Sequence, residues 1–148
     1  MNQPADRTAP PLDHRLPEQA GQAFITVWCR SQEQVAGHVP RSQLAALEAV
    51  AANPDLSLRA LADSLGVIPS SASRLCDRLV SAGLLVRTPR DDNRRQVALR
   101  PTPTGDELLR DLSRRRQQDL EAVLNRMTAE SREELLRGLA AFTEAAGQ

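Results

Sequence analysis

A mainly α-helical fold carrying one small β-hairpin is predicted by three observations. Apolar residues recur at helical spacing in successive segments, and Gly, Pro, Asn or Thr punctuates the gaps between them. Two Phe, one Trp and no Tyr among 148 residues leave a core of Leu, Ala and Val, which suits packed helices better than a β-sandwich. Two short β-type runs, 84–87 and 96–99, flank a stretch of turn formers and charges, Arg87-Thr88-Pro89-Arg90-Asp91-Asp92-Asn93-Arg94-Arg95.

Taken in order, residues 1–16 are rich in Pro, Asp and Arg without periodicity and read as a mobile arm. Residues 17–36 form a first helix, with Ala20, Phe24, Val27, Trp28 and Ser31 along one stripe; Gly37-His38-Val39-Pro40 breaks it. A second helix runs from Ser42 to Ala52, with Leu44, Leu47, Val50 and Ala51 inward, and Asn53-Pro54-Asp55 ends it. The third, 58–65, places Leu58, Leu61, Ala62 and Leu65 on one face; Ser57 can cap its start and Gly66 can end it in a left-handed conformation. Pro69 opens a fourth helix, 69–82, because a proline in the first turn removes only an N–H that has no partner there. Ala72, Leu75, Cys76 and Leu79 form its apolar face, and Ala82-Gly83 ends it. After the hairpin a long helix from Pro103 to Met127 carries Leu108, Leu112, Leu120, Val123, Leu124 and Met127. Thr128 caps a last helix, 129–145, with Leu135, Leu136, Leu139 and Phe142 buried.

Helix, tight turn, helix and arginine-tipped hairpin together make a winged helix-turn-helix, a DNA reader. Ser70, Ser71, Ser73, Arg74, Asp77 and Arg78 point away from the apolar face of the fourth helix. Short hydroxyls and arginines suit a major groove, since Ser can bond bases or phosphates and Arg can bond guanine bidentately. Arg94 and Arg95 at the hairpin tip are placed to enter an adjacent narrow minor groove, whose negative potential attracts arginine.

These residues resemble the DNA-binding part of the MarR family of bacterial regulators. The wing Arg90-Asp91-Asp92-Asn93-Arg94-Arg95 is similar to that family's acidic-turn-Asp-Arg-Arg pattern, and Thr102-Pro103-Thr104-Gly105 resembles its Thr-Pro-x-Gly start of a long C-terminal helix. The resemblance runs from about Leu16 to the end. Asn93 replaces the usual Asp, which leaves an Asp–Arg clamp to Asp91 or Asp92. Ile68 replaces the usual Ser or Thr before the proline, which leaves Ser70 to cap the recognition helix. The resemblance implies a homodimer built from helices 17–36 and 103–146 around a winged part, 42–101. Phe24, Leu135, Leu139 and Phe142 are then the large interface residues. It also implies a roughly palindromic operator, and a small aromatic ligand between the dimer helices and the winged part, where Trp28 is the candidate lining residue. The plain alternative for Trp28 is a core or interface position.

Charge balances at 19 basic against 19 acidic residues, so net charge carries no information about partners; its distribution does. Residues 59–100 hold eight Arg against four acids, whereas both flanks are net acidic, as expected where a DNA reader concentrates its field. Every basic residue is Arg. The triplet Arg114-Arg115-Arg116 is expected on a solvated helix face, paired with Asp111, Asp119 and Glu121. No leader-like apolar run opens the chain, nothing reaches membrane-span length, and two well-separated Cys fit a reducing cytoplasm. His14 and His38 have no ligand cluster, and no catalytic order, phosphate loop or cofactor motif marks an enzyme. Cys76 lies on a core face. Cys29 lies on the first helix, where peroxide-sensing relatives hold a thiol near tyrosines, yet this chain has none, so no simple peroxide switch is expected. The expected function is a sequence-specific transcriptional regulator, a repressor relieved by a small ligand. The alternatives are a cysteine-based redox regulator and a winged-helix interaction module without DNA binding.

Overall fold

A computed structural model describes residues 15–53, 56–89 and 97–147. The helices are α1 (Arg15–Ala36), α2 (Arg41–Ala52), α3 (Leu58–Leu65), α4 (Pro69–Ser81), α5 (Pro103–Leu124) and α6 (Ala129–Ala146). Strands β1 (Leu85–Pro89) and β2 (Val97–Pro101) lie between α4 and α5. The strands pair antiparallel with Leu85 opposite Pro101 and Arg87 opposite Leu99. Among the described residues no helix is long and apolar enough to cross a membrane.

Local chemistry sets the boundaries. Ser57 Oγ accepts from the Ala60 N–H, and Gly66 stands at φ 64°, so the turn between α3 and α4 is closed as its sequence requires. α5 is shorter than its apolar pattern suggested. It stops at Leu124, and Asn125 to Met127 turn the chain before Thr128 caps α6 through Ser131 N–H. Leu84 is not in the hairpin. Its N–H closes the end of α4 on the Leu79 carbonyl.

The core is the winged part. Leu44, Ala46, Leu47 and Val50 of α2 pack with Leu61 of α3, Leu75, Cys76 and Leu79 of α4, Leu84 and Leu85 before and in β1, and Leu112 of α5. Leu58, read as inward, is 39% exposed at the first position of α3, outside the buried cluster. Thr102 joins hairpin to long helix. Its N–H donates to the Leu84 carbonyl at 3.0 Å. Its hydroxyl donates to the Gly83 carbonyl at 2.6 Å and accepts from Gly105 N–H at 3.1 Å. The Leu84 carbonyl lies so close to α5 that a Cβ on Gly105 would stand 2.3 Å from its oxygen. The Thr-Pro-x-Gly sequence is thus one joint: a cap, a helix start and a position with no room for a side chain.

α1 packs along α5, but its buried residues, Ser31, Gln32 and Ala36, lie at its C-terminal end. α6 has no buried residue. Leu136 is 49% and Phe142 71% exposed, so the sequence expectation that they are buried does not hold within one chain. The reason is geometric: α6 leaves α5 after a turn, and among the described residues no element packs a second layer over it.

Candidate nucleic-acid interface

α4 is held by four side chains and offers the rest. Ala72, Leu75, Cys76 and Leu79 are buried, as their spacing predicts, while Ser70, Arg74, Asp77 and Arg78 are exposed and Ser71 and Ser73 partly so. Arg74 and Arg78 stand one turn apart on the open side. Burial pushes the Cys76 thiol up from its ordinary value, against a smaller opposing effect of the Arg87 charge, which makes it a poor nucleophile. No side chain caps the start of α4; neither Ile68 nor the expected Ser70 does so. Ile68 is 65% exposed beside Val67, which leaves an apolar corner at the leading end of the helix.

The wing strands leave the end of α4 directly. Arg94, Arg95, Asp91 and Asp92 lie outside the described residues, so the tip contact expected of the two arginines has no described geometry. At the root of the wing the structure adds a contact that periodicity did not show: Arg87 of β1 donates to the Asp77 carboxylate at 2.5 Å. A lone acid on the open face of a helix otherwise bearing Ser and Arg was the available signal.

Behind α4, polar joints tie the long helices to one another and to the winged part. Arg114 pairs with Asp111 and Arg115 with Asp119, as expected of a solvated face. Arg116 does not follow them. It is 8% exposed, pairs with Glu48 of α2 at 2.5 Å, and its guanidinium lies 3.7 Å from the Trp28 ring centroid. One helical step turns Arg116 inward, toward α1 and α2. Trp28 is therefore a platform for a cation, half-exposed at its far edge, a contact worth ~0.5–2 kcal/mol.

Ser31 of α1 donates to Asp119 of α5 at 2.6 Å. This hydrogen bond, and then the one from Arg115, holds the Asp119 carboxyl below its ordinary value. A depressed folded-state value means that the folded chain favours the carboxylate. Its contribution is complete above the unfolded value near ~3.9 and is lost as pH falls through the lower, folded one. Asp119→Asn is therefore expected to lower stability at neutral pH and to flatten the acid limb of a pH–stability curve. An acid limb of unchanged slope would show that the α1–α5 joint does not depend on this charge.

Two concavities flank α1. A cleft of approximately 350 Å³ is lined by Gln22, Ile25, Thr26, Cys29, Arg30, Glu33 and Arg41. An apolar groove of approximately 360 Å³ runs between α1, α5 and α6, lined by Ala20, Phe24, Val27, Val123, Leu135 and Leu139 among others. Trp28 lines neither. The structure therefore brings Phe24, Leu135 and Leu139 together, while Phe142 lies further along α6, outside the groove lining.

A helix-turn-helix whose second helix shows hydroxyls and arginines, followed by a two-stranded wing and long flanking helices, defines a winged helix-turn-helix protein. Residues 39–96 match the model described as MarR family. A stretch of 76 residues is 32% identical to an uncharacterized HTH-type transcriptional regulator, YhjH, of Bacillus subtilis (strain 168); the match spans 48% of this chain and 43% of that relative. The fold is similar to that of RV1404 from Mycobacterium tuberculosis, with 29% identity, a TM-score of 0.83 and coverage of 97% of this chain and 100% of that one. It is also similar to a MarR family protein from Bacillus stearothermophilus, with 19% identity, a TM-score of 0.77 and coverage of 90% and 92%. Over residues 39–96 the chain is similar to the MarR family, and along 90% of its length its fold is similar to that of a solved MarR family protein.

Proposed function

We propose that this chain is a homodimeric, sequence-specific DNA-binding transcriptional regulator, a repressor released from its operator by a small ligand. The observation that carries this reading is α4: four buried side chains fix it, and its open face presents Ser70, Ser73, Arg74 and Arg78. Hydroxyls and arginines on one rigid helix meet the requirements of major-groove reading. The arginine excess in residues 59–100 supplies the accompanying field. The unburied stripe of α6 and the apolar groove beside it call for a second copy. A twofold axis relating two copies of α4 then requires a near-palindromic site with half-sites one DNA turn (~34 Å) apart. A ligand releases DNA by favouring a dimer whose α4 helices are wrongly spaced, and by no more than its differential affinity for the two states.

The test is a salt-titrated binding assay on duplexes selected from a random pool. Phosphate contacts give a steep fall of affinity with salt, and a cognate duplex should outcompete bulk DNA. A shallow slope with no preferred duplex would support the interaction-module alternative. Within this reading, Arg94→Ala is expected to weaken cognate binding by ~1–3 kcal/mol without loss of the dimer. Unchanged affinity at physiological salt would move the wing contact to Arg95 or remove it.

A further inference from the structure

The outer face of α4 carries one acidic side chain, Asp77, between Arg74 and Arg78. A carboxylate there faces whatever the helix reads, and toward DNA it repels phosphates. Arg87 answers it at 2.5 Å from the neighbouring strand. Both side chains are about half exposed, 49% for Arg87 and 52% for Asp77, so the pair adds little to folding. Its position is more telling than its strength. Arg87 lies on the strand that leads to the wing tip, and Asp77 lies on the reading helix, so the pair ties the two DNA-facing elements at one angle. It also leaves the Arg87 guanidinium engaged rather than free.

We propose that Asp77 and Arg87 are a specificity device: their pairing weakens binding to non-cognate DNA more than binding to the operator. The inference rests on the DNA-binding reading above. Non-cognate binding is almost wholly phosphate electrostatics, so one arginine removed and one carboxylate added act on its main source of affinity. Cognate binding adds base contacts that need helix and wing in a fixed relation, which the pair maintains. Asp77 and Arg87 are positioning residues here and need not touch a base.

The experiment compares Asp77→Asn with wild type on a selected cognate duplex and a scrambled duplex across a salt series. Asp77→Asn frees Arg87. Non-cognate affinity is expected to rise about tenfold, and its log–log salt slope to steepen by about 0.9, one phosphate's worth. Cognate affinity should change about threefold or less, so the cognate to non-cognate ratio falls. Arg87→Gln breaks the same pair without freeing a cation, and its slope should not steepen. That contrast separates the proposal from simple loosening of the wing. If Asp77→Asn folds poorly, Asp77→Ser carries the same comparison. An unchanged ratio and slope in a variant that melts with wild type overturns the proposal. A wild-type protein that prefers no duplex over competitor removes the DNA-binding reading itself, and this proposal with it.

Discussion

Leu139→Glu combined with Phe142→Glu is expected to leave monomers or aggregates and to abolish tight DNA binding. Within one chain α6 is a helix without a core: none of its residues is buried, and Phe142 is 71% exposed. Leu135 and Leu139 line an apolar groove with Phe24, Val27 and Val123, and little polar surface interrupts it. Exposed apolar side chains gathered beside an apolar groove mark the kind of surface that another chain covers. Covering a Leu or Phe side chain fully is worth ~1.5–3 kcal/mol, and a twofold arrangement repeats each gain on the second copy. In the proposed dimer, two glutamates at these positions reverse the sign of that contribution in both copies. The winged part has its own core in α2, α3, α4 and β1, so the variant should keep that fold. A single half-site would then remain bound only weakly, because the affinity of two linked reading helices comes from engaging both at once. Analytical sedimentation gives the oligomeric state and a binding titration gives the affinity. An intact, soluble dimer that still binds its operator tightly would contradict the assignment of α6 to the interface.

What the sequence made legible follows from the range of the interaction involved. The four buried residues of α4 were legible because one periodicity places them, and the caps at Ser57 and Thr128 were legible from bonds three residues long, whereas the cap at Thr102 is added by the structure. Arg116 was not. Its neighbours Arg114 and Arg115 find acids within one turn, whereas its partner Glu48 lies 68 residues away and its platform Trp28 is on a third helix. Local spacing cannot separate the three arginines. Only the crossing of α1 over α5 turns the third one inward. The same limit hid the Asp77–Arg87 pair, which depends on how closely β1 returns along α4. The α6 stripe was legible as a stripe, but periodicity says only that a face is apolar, and the burial it implied does not occur within one chain. Trp28 shows the complementary case. Its placement on the stripe of α1 fitted a ligand-lining role or an interface role, and periodicity gave no sign of the Arg116 guanidinium that the structure stacks on its ring.

Gly105→Ala is expected to destabilise the protein more than any other single-methyl change outside the apolar core. An alanine is ordinarily favoured over glycine inside a helix by ~0.5–1 kcal/mol, so propensity alone predicts a gain. Packing predicts the opposite. The new Cβ would lie 2.3 Å from the Leu84 carbonyl oxygen and 3.2 Å from its carbon, and both are backbone atoms that no rotamer change can move aside. That same oxygen accepts the Thr102 N–H, and Thr102 holds the Gly83 carbonyl and the first turn of α5. Relief of the clash must therefore open the joint between wing and long helix, or shift the start of α5 away from Leu47, whose Cδ1 is 3.5 Å from the added atom. Overpacking of this kind costs ~1–3 kcal/mol or more, which exceeds the propensity gain. For a chain of this size each kcal/mol lowers the melting temperature by roughly 3–5 °C, so a fall of several degrees should be plain in a thermal melt. Thr104→Ala is the matching control, since Thr104 is exposed in the same first turn and its loss should change stability by ~0.5 kcal/mol or less. Operator affinity of Gly105→Ala should fall as well at temperatures where the variant remains folded, because the moved joint carries the wing. A Gly105→Ala protein that melts at or above wild type would show that helix propensity outweighs the contact, and the structural account of the Thr-Pro-x-Gly joint would be wrong.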